Sequence, residues 1–294
     1  MEATIRSVFD QTYNNIEYII IDGGSSDGSP DIIRKYESRL AYWQSRKDRG
    51  AGDAINQGWK IATGSIYAYL NSDDLLMPDA VRVAVDTFLA QPGAGVVYGD
   101  SVFIDAQGEK LGAHPSQPFA HAKVFTTWEN PIVQPSCFFR RKVFEKFGGL
   151  DESYHFSLDF EYWLRICEAV QFVHIPVSLS AVRLHPAAKT WKLEAVQGRD
   201  LLRLGLNLVA NGTPMRHGVQ EEDARKGVYL RAANHLRNAG KRAEAIKIFW
   251  SYCRIAMPFP FALLRWVKFS GGVFLKDTFT KKQSPVNSIP TPLH

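Results

Sequence analysis

A chain of 294 residues, 45% hydrophobic and 22% charged, carries enough apolar material to bury one large domain or two modest ones. Its formal charge of +5 hides a split: residues 1–185 hold 17 Lys+Arg against 23 Asp+Glu, and residues 186–294 hold 18 against 7. No apolar run reaches the roughly 18–20 residues that span a bilayer, no signal peptide opens the chain, and Cys137, Cys167 and Cys253 are too few and too widely spaced for a disulfide framework or a zinc-binding spacing.

The expectation is therefore a cytoplasmic protein in a reducing compartment. An acidic front half suits a metal site. A basic back half suits an anionic surface, membrane leaflet or nucleic acid, or simply a solvated helical face. The Pro/Ser/Lys-rich tail over 281–294 reads as flexible.

In chain order, Ile5, Val8 and Phe9 predict a helix over Glu2–Gln11. Glu17–Asp22 (EYIIID) is a short apolar run expected to form a buried parallel strand. A Gly/Ser loop follows, and Ser29 as N-cap with Pro30 behind it opens a helix to about Glu37. A strand is expected near Ala41–Gln44. After Gly50-Ala51-Gly52 comes a helix with Ala54, Ile55 and Ile61 inward, closed by Thr63-Gly64. Ser65–Leu70 is the next buried strand, with Asn71-Ser72-Asp73-Asp74 at its carboxyl end.

Pro78-Asp79 opens a helix to about Ala90, and Gly95–Asp100 is a strand. Val102–Leu111 reads as a hairpin turning at Ala106-Gln107-Gly108. Gln134–Phe139 precedes a short helix at Lys142–Lys146, and another helix covers Asp159–Glu168. Residues 192–256 are mainly helical, with a helical hairpin around Ala239-Gly240. Phe259–Phe279 mixes large apolar residues with Arg265, Lys268 and Lys276, suiting either a membrane-surface helix or a packed one. Strands alternating with helices predict an α/β fold with a mostly parallel sheet, whose ligands bind outside the carboxyl ends of the strands.

Asp73 and Asp74 are the strongest chemical signal. Adjacent carboxylates at the end of a buried strand repel each other and lose hydration, and Mg²⁺ or Mn²⁺ relieves both costs. The competing role is N-capping ahead of Pro78, which accounts for one acid but hardly for two. Asp22 can accept hydrogen bonds from a base or ribose where Gly23 and Gly24 let the backbone approach. Asp48-Arg49-Gly50 offers a second acid and a cation for phosphate. Asp159 and Glu161, two apart at a helix start, cannot share a face: one is free to enter a cleft as a general base while the other pairs elsewhere. Arg183, His185 and Lys189 are candidates for phosphate or metal.

The ordered stretches SVFDQTYNNIEYIIIDGGSSDGS, KDRGAGDAINQGWKIATG, YLNSDDLLMPD, QPSCFFRRKVFEKFGGLDESYHFSLDFEYWLR and RLHPAAKT resemble glycosyltransferase family 2, of GT-A fold, over roughly residues 1–190. The resemblance implies an inverting, metal-dependent transfer of a sugar from a nucleoside diphosphate, UDP favoured, to a hydroxyl of a polysaccharide or lipid-linked glycan. The setting would be bacterial cell-envelope synthesis at the inner face of the plasma membrane. It implies Asp159 as catalytic base and a nucleotide site at Asp22, Gly23, Asp48, Arg49, Asn56 and Asn71. Metal ligands would be Asp73, Asp74 and His185, and acceptor or supporting residues Gln134, Glu161, Trp163 and Arg165. Residues 191–280 would be a helical region.

Two departures stand out. Asn71 replaces the first acid of the DXD motif, and the strand that normally precedes the first helix is missing, as in a truncated chain. The missing strand motivates an alternative, a non-catalytic relative that binds sugar nucleotide or a partner. A nucleotidyltransferase would need a basic Gly-rich loop near the start, and none is present. Nucleic acid is not expected as a partner.

Overall fold

The computed structural model describes residues 1–185, 193–256, 262 and 266–269. The first unit alternates helix and strand: α1 (Glu2–Phe9), β1 (Ile19–Asp22), α2 (Ser29–Arg34), β2 (Tyr42–Ser45), α3 (Ala51–Ile61), β3 (Ile66–Tyr67), β4 (Leu75–Leu76), α4 (Ala80–Ala90) and β5 (Ala94–Ile104). Then follow β6 (Lys110–His114), α5 (His121–Thr127), β7 (Cys137–Arg140), α6 (Arg141–Phe147), α7 (Leu158–Ile166) and β8 (Gln171–Arg183). A helical region completes the chain: α8 (Glu194–Ala210), α9 (Thr213–Arg216), α10 (Glu221–Asn238) and α11 (Arg242–Ala256).

The α/β class holds, but the pairing is mixed rather than mostly parallel. The larger sheet runs β3-β7-β5-β8-β4, with β6 also on β5. Only β5 with β8 is parallel there; β3–β7, β7–β5, β8–β4 and β5–β6 are antiparallel. The reason is local. β6 returns through the Asp105–Glu109 turn, and β7 arrives by a long connection after it, so neither follows the crossover that keeps strands parallel. Val96, Val97 and Tyr98 at the centre of β5 are fully buried, as expected of a strand covered on both faces.

β1 and β2 form a separate parallel pair. Among the described residues β1 pairs only with β2, and β3 only with β7, so one edge of each borders a cavity of about 720 Å³ between the two sheets. Ile19, Ile20 and Ile21 line it from one side and Ile66 to Leu70 from the other. The Ser65–Leu70 strand is consequently realised only as Ile66–Tyr67, because a ladder on one edge alone holds fewer residues.

Two smaller readings change. Gly28, at φ 83°, takes the N-cap position of α2 and Ser29 becomes its first residue, because only glycine enters the left-handed region without penalty. On α3 the buried face is Gly52, Asp53, Asn56 and Trp59, and Ile61 is exposed. Ile61 lies two positions past Trp59, off the stripe that a helical period of 3.6 generates. The Phe259–Phe279 reading falls largely outside the described residues, as does the tail. Among the described residues no helix is long and apolar enough to cross a membrane.

The helical region shares a core with the first unit. Trp59, Tyr98, Phe139, Tyr162 and Trp163 belong to the same buried cluster as Leu201, Leu204 and Val228. Trp128 ends α5 at φ 54°, the one positive-φ non-glycine among the described residues. Its ring is buried and its Nε1 donates to the Ala224 carbonyl at 2.8 Å. That bond and its packing hold an indole in a conformation that L side chains rarely adopt.

Candidate active site

The polar residues gather at strand ends. Asp22 closes β1 and is buried. Burial alone would raise its carboxyl, but donation from Ser25, Ser45 and the Ser25 and Gly24 amides outweighs it and holds the acid below its usual range. The Gly24 and Ser25 amides donate to Oδ2 at 3.1 and 3.0 Å, and Ser25 Oγ donates to Oδ1 at 2.6 Å. Asp22 therefore shapes the loop first, with one acceptor position left on Oδ1.

Asp48 comes to the same place. A Cβ on Gly23 would meet Asp48 Oδ2 at 2.6 Å, so glycine is what allows this approach. Asp48 Oδ1 accepts from the Gly50 amide at 2.9 Å.

Arg49 and Asn56 serve the scaffold instead. Arg49 donates twice to Glu152 Oε2, at 2.8 and 3.1 Å, and pairs with Asp53 at 2.8 Å. Asn56 is buried, donates to the Leu150 carbonyl at 2.9 Å and accepts from the Leu150 amide at 2.8 Å. Its amide is occupied by backbone, so Asn56 clamps the 149–152 loop to α3 and is not free to hold a nucleotide.

Beyond β3, Asn71 Nδ2 donates weakly, at 3.4 Å, to both Asp74 Oδ2 and Gln134 Oε1. Gln134 in turn donates to the Tyr69 carbonyl at 2.7 Å. Asp73 is part-exposed, and its Oδ2 lies 3.1 Å from His185 Nε2, an imidazole N–H facing a carboxylate. Asp74 is buried and accepts from the Arg183 amide at 3.1 Å. Burial, with the charge of Asp73 beside it, pushes the Asp74 carboxyl up to about 6. Arg183, a phosphate candidate in the sequence, donates to the carbonyls of Asp73 and Asp105 at 3.0 and 2.7 Å and so ties this loop to β5–β6.

Asp159 begins α7 and accepts from Asn130 Nδ2 at 2.9 Å. It lines a cavity of about 240 Å³ with Trp128, Asn130, Gln197, Arg231 and His235. Glu161 takes the other role: it is buried and binds Arg165 at 2.7 and 3.1 Å. Arg165 also donates to the Phe147 and Gly149 carbonyls, and Trp163 is buried in the core. These three are engaged within the scaffold, the supporting half of the expectation.

The two acid groups nevertheless converge. Burial holds the Tyr69 phenol well above its ordinary value, and the charges of Asp159, Cys137 and Asp74 add to that rise, so both acids are felt at one side chain. Asn71, Ser72, Asp22, Gly23 and Ser25 border the same larger cavity. Asn130, Gln197, Arg231 and His235 carried no sequence signal. Asn130 stands before Pro131 and reads only as a turn, and the other three come from helices whose packing no local pattern reveals.

Residues 1–148 match the sequence model of Glycosyl transferase family 2. An uncharacterized glycosyltransferase of Mycobacterium tuberculosis is 32% identical over 175 residues, covering 58% of this chain and 66% of that protein. Escherichia coli chondroitin synthase is 27% identical over 173 residues, covering 58% of this chain and 25% of the synthase. The chain thus spans less than two thirds of these relatives.

Solved structures give the fold. A Pyrobaculum calidifontis mannosyltransferase in complex with GDP-Man and Mn²⁺ superposes with TM-score 0.57 at 18% identity, covering 96% of this chain and 84% of that one. Staphylococcus aureus TarS 1–349 in complex with UDP-GlcNAc gives 0.57 at 12% identity, covering 86% and 76%.

Proposed function

The chain belongs to glycosyltransferase family 2, and on that premise we propose that it transfers a sugar, with inversion, from a nucleoside-diphosphate donor to a hydroxyl of a polysaccharide or lipid-linked glycan. One observation carries the reading: a part-exposed strand-end carboxylate, Asp73, is paired with His185 beside buried Asp74, whose charge acts on Tyr69 together with that of Asp159, a helix-start carboxylate bonded by Asn130.

The donor set at Asp73, Asp74 and His185 is carboxylate and imidazole, and Asp73 remains accessible. That fits a divalent cation held by one or two carboxylates and completed by substrate phosphates. Bound there, Mg²⁺ or Mn²⁺ would stabilise negative charge on the departing diphosphate. Asp22 and Asp48 contribute acceptor oxygens for the base or ribose. UDP is the favoured nucleotide, although the solved neighbours hold either GDP-Man or UDP-GlcNAc.

In the transfer, the acceptor oxygen forms its bond to the anomeric carbon as the bond from that carbon to the phosphate oxygen breaks. Asp159 receives the hydroxyl proton. Attack from the face opposite the leaving group inverts the centre. Donor hydrolysis and transfer assays with Mg²⁺ and Mn²⁺ over UDP-, GDP- and dTDP-sugars test the reading. Binding of no nucleoside diphosphate by calorimetry would sink it.

A second reading rests on the divided sheet. The cavity between β1 and β3 leaves strand edges unpaired among the described residues, which favours a relative that binds a sugar nucleotide or a partner without catalysis. Edges facing across such a gap leave ladder groups without sheet partners. Donor binding in calorimetry with no transfer to any acceptor would favour this reading. Turnover in the transfer assays would reject it.

A further inference from the structure

Away from the strand-end rim, three side chains from distant stretches meet between α5, the end of α7 and the turn after α9. Ligand atoms of His121, Cys167 and His217 all lie within 4.8 Å of one another, the one such cluster found among the described residues. The cysteine spacing gave no hint of it, because the histidines come from elsewhere in the chain.

His121 Nε2 lies 3.1 Å from the Cys167 carbonyl oxygen. An N–H donated there leaves Nδ1 as the lone-pair atom, and donation of the second ring N–H to a backbone carbonyl is the usual support of a metal-bound histidine. His217 Nε2 is sealed from solvent and has no hydrogen-bond partner. Glu168 Oε1 stands 3.6 Å from it, beyond hydrogen-bond reach, and is itself paired with Arg216 at 2.9 Å. A sealed ring nitrogen without a partner is destabilising unless a ligand supplies one. Burial, then the neighbouring His121, lowers the His217 pKa and keeps its lone pair available.

Cys167 is buried, and its thiol meets the Leu164 carbonyl at 3.2 Å. The two imidazoles stack at 4.3 Å with an 11° interplanar angle. A shared metal requires one ring to turn out of this stack about its terminal torsion, a broad one.

We propose that His121, Cys167 and His217 form a site for a thiophilic divalent cation, with zinc the best fit to two imidazoles and one thiolate, and with Glu168 or water completing a tetrahedron. Binding exchanges the thiol proton for the metal: the S–H bond breaks, the sulfur–metal bond forms, and the proton leaves to solvent. The site is separate from the carboxylate rim, whose oxygen donors suit Mg²⁺ or Mn²⁺. It ties α5 and α7 to the turn that follows α9.

The test uses the full chain, stripped with chelator and held in excess Mg²⁺ so that oxygen sites are filled. Co²⁺ is titrated while thiolate-to-metal charge transfer is followed in the near ultraviolet. One equivalent is expected to develop the band and zinc to abolish it. Cys167→Ser should show no band, and His217→Gln should bind at least about tenfold more weakly. A wild-type protein without the band, or a band that survives Cys167→Ser, overturns the site. If Cys167→Ser does not fold, His217→Gln decides, and unchanged affinity there overturns it equally.

Discussion

Two polar regions sit close together and differ in what their lone pairs are doing. At the clamp formed by α3 and α7, Asn56, Glu161 and Arg165 are bound to Leu150, to each other, and to the Phe147 and Gly149 carbonyls. At the strand-end rim, Asp73 keeps a part-exposed carboxylate against one imidazole, and at the start of α7 Asp159, bonded by Asn130, lines a second cavity. Density of polar residues therefore does not mark a site. Availability does: a group already saturated by backbone contributes rigidity, and a group with open acceptor positions contributes chemistry.

The sharpest way to break this contrast is Asp159→Asn, which keeps shape and removes basicity. Turnover is expected to fall by about 10²–10⁴-fold, the usual worth of a general base, while nucleotide affinity measured by calorimetry stays put. Unchanged turnover would end the assignment. On the clamp side, Arg165→Ala leaves buried Glu161 without its partner and should lower unfolding stability by about 3 kcal/mol in denaturant titration. Donor affinity should barely move, and a specific loss of donor binding at normal stability would put Arg165 in the site after all.

Asp74 gives a pH signature. Its folded value of about 6 lies above the roughly 3.9 of an unfolded aspartate, so the folded state holds the proton more tightly. Its contribution is full below pH 4 and disappears as pH rises through 6. Metal-free protein should accordingly lose on the order of 2–3 kcal/mol across that window, and Asp74→Asn should flatten the curve. A parallel curve for the variant would assign the pH dependence elsewhere. The smallest effect is expected from Gly23→Ala. Its added methyl pushes Asp48 aside and should weaken nucleotide binding about tenfold, with little change in melting temperature.

Much of the architecture was legible because strands and helices leave periodic signatures. EYIIID, the hairpin near Gly108 and the helix opening at Asp159 could be read directly. Pairing direction could not, since β7 reaches β5 through a long connection whose course depends on packing. Ser65–Leu70 has the composition of a full strand, yet only Ile66–Tyr67 pairs, because pairing needs a neighbour that composition cannot supply. The same limit applied at the site. The separation of Asp159 from Glu161 followed from helix geometry, whereas the occupation of Arg49, Asn56 and Arg165 by scaffold groups required knowing which carbonyls lie within reach.

The bond from Trp128 Nε1 to the Ala224 carbonyl joins the helical region to the backbone that leads, two residues later, to Asn130. Asn130 steers Asp159. The carboxylate proposed as the base is thus aimed, in part, by residues well beyond the matched span 1–148. A fragment cut to residues 1–148 would keep Asp22, Asp48, Asp73 and Asp74 but lose Asp159 itself, together with the helices that hold Asn130 in place, so the carboxylates at the two ends of this site depend on different lengths of chain.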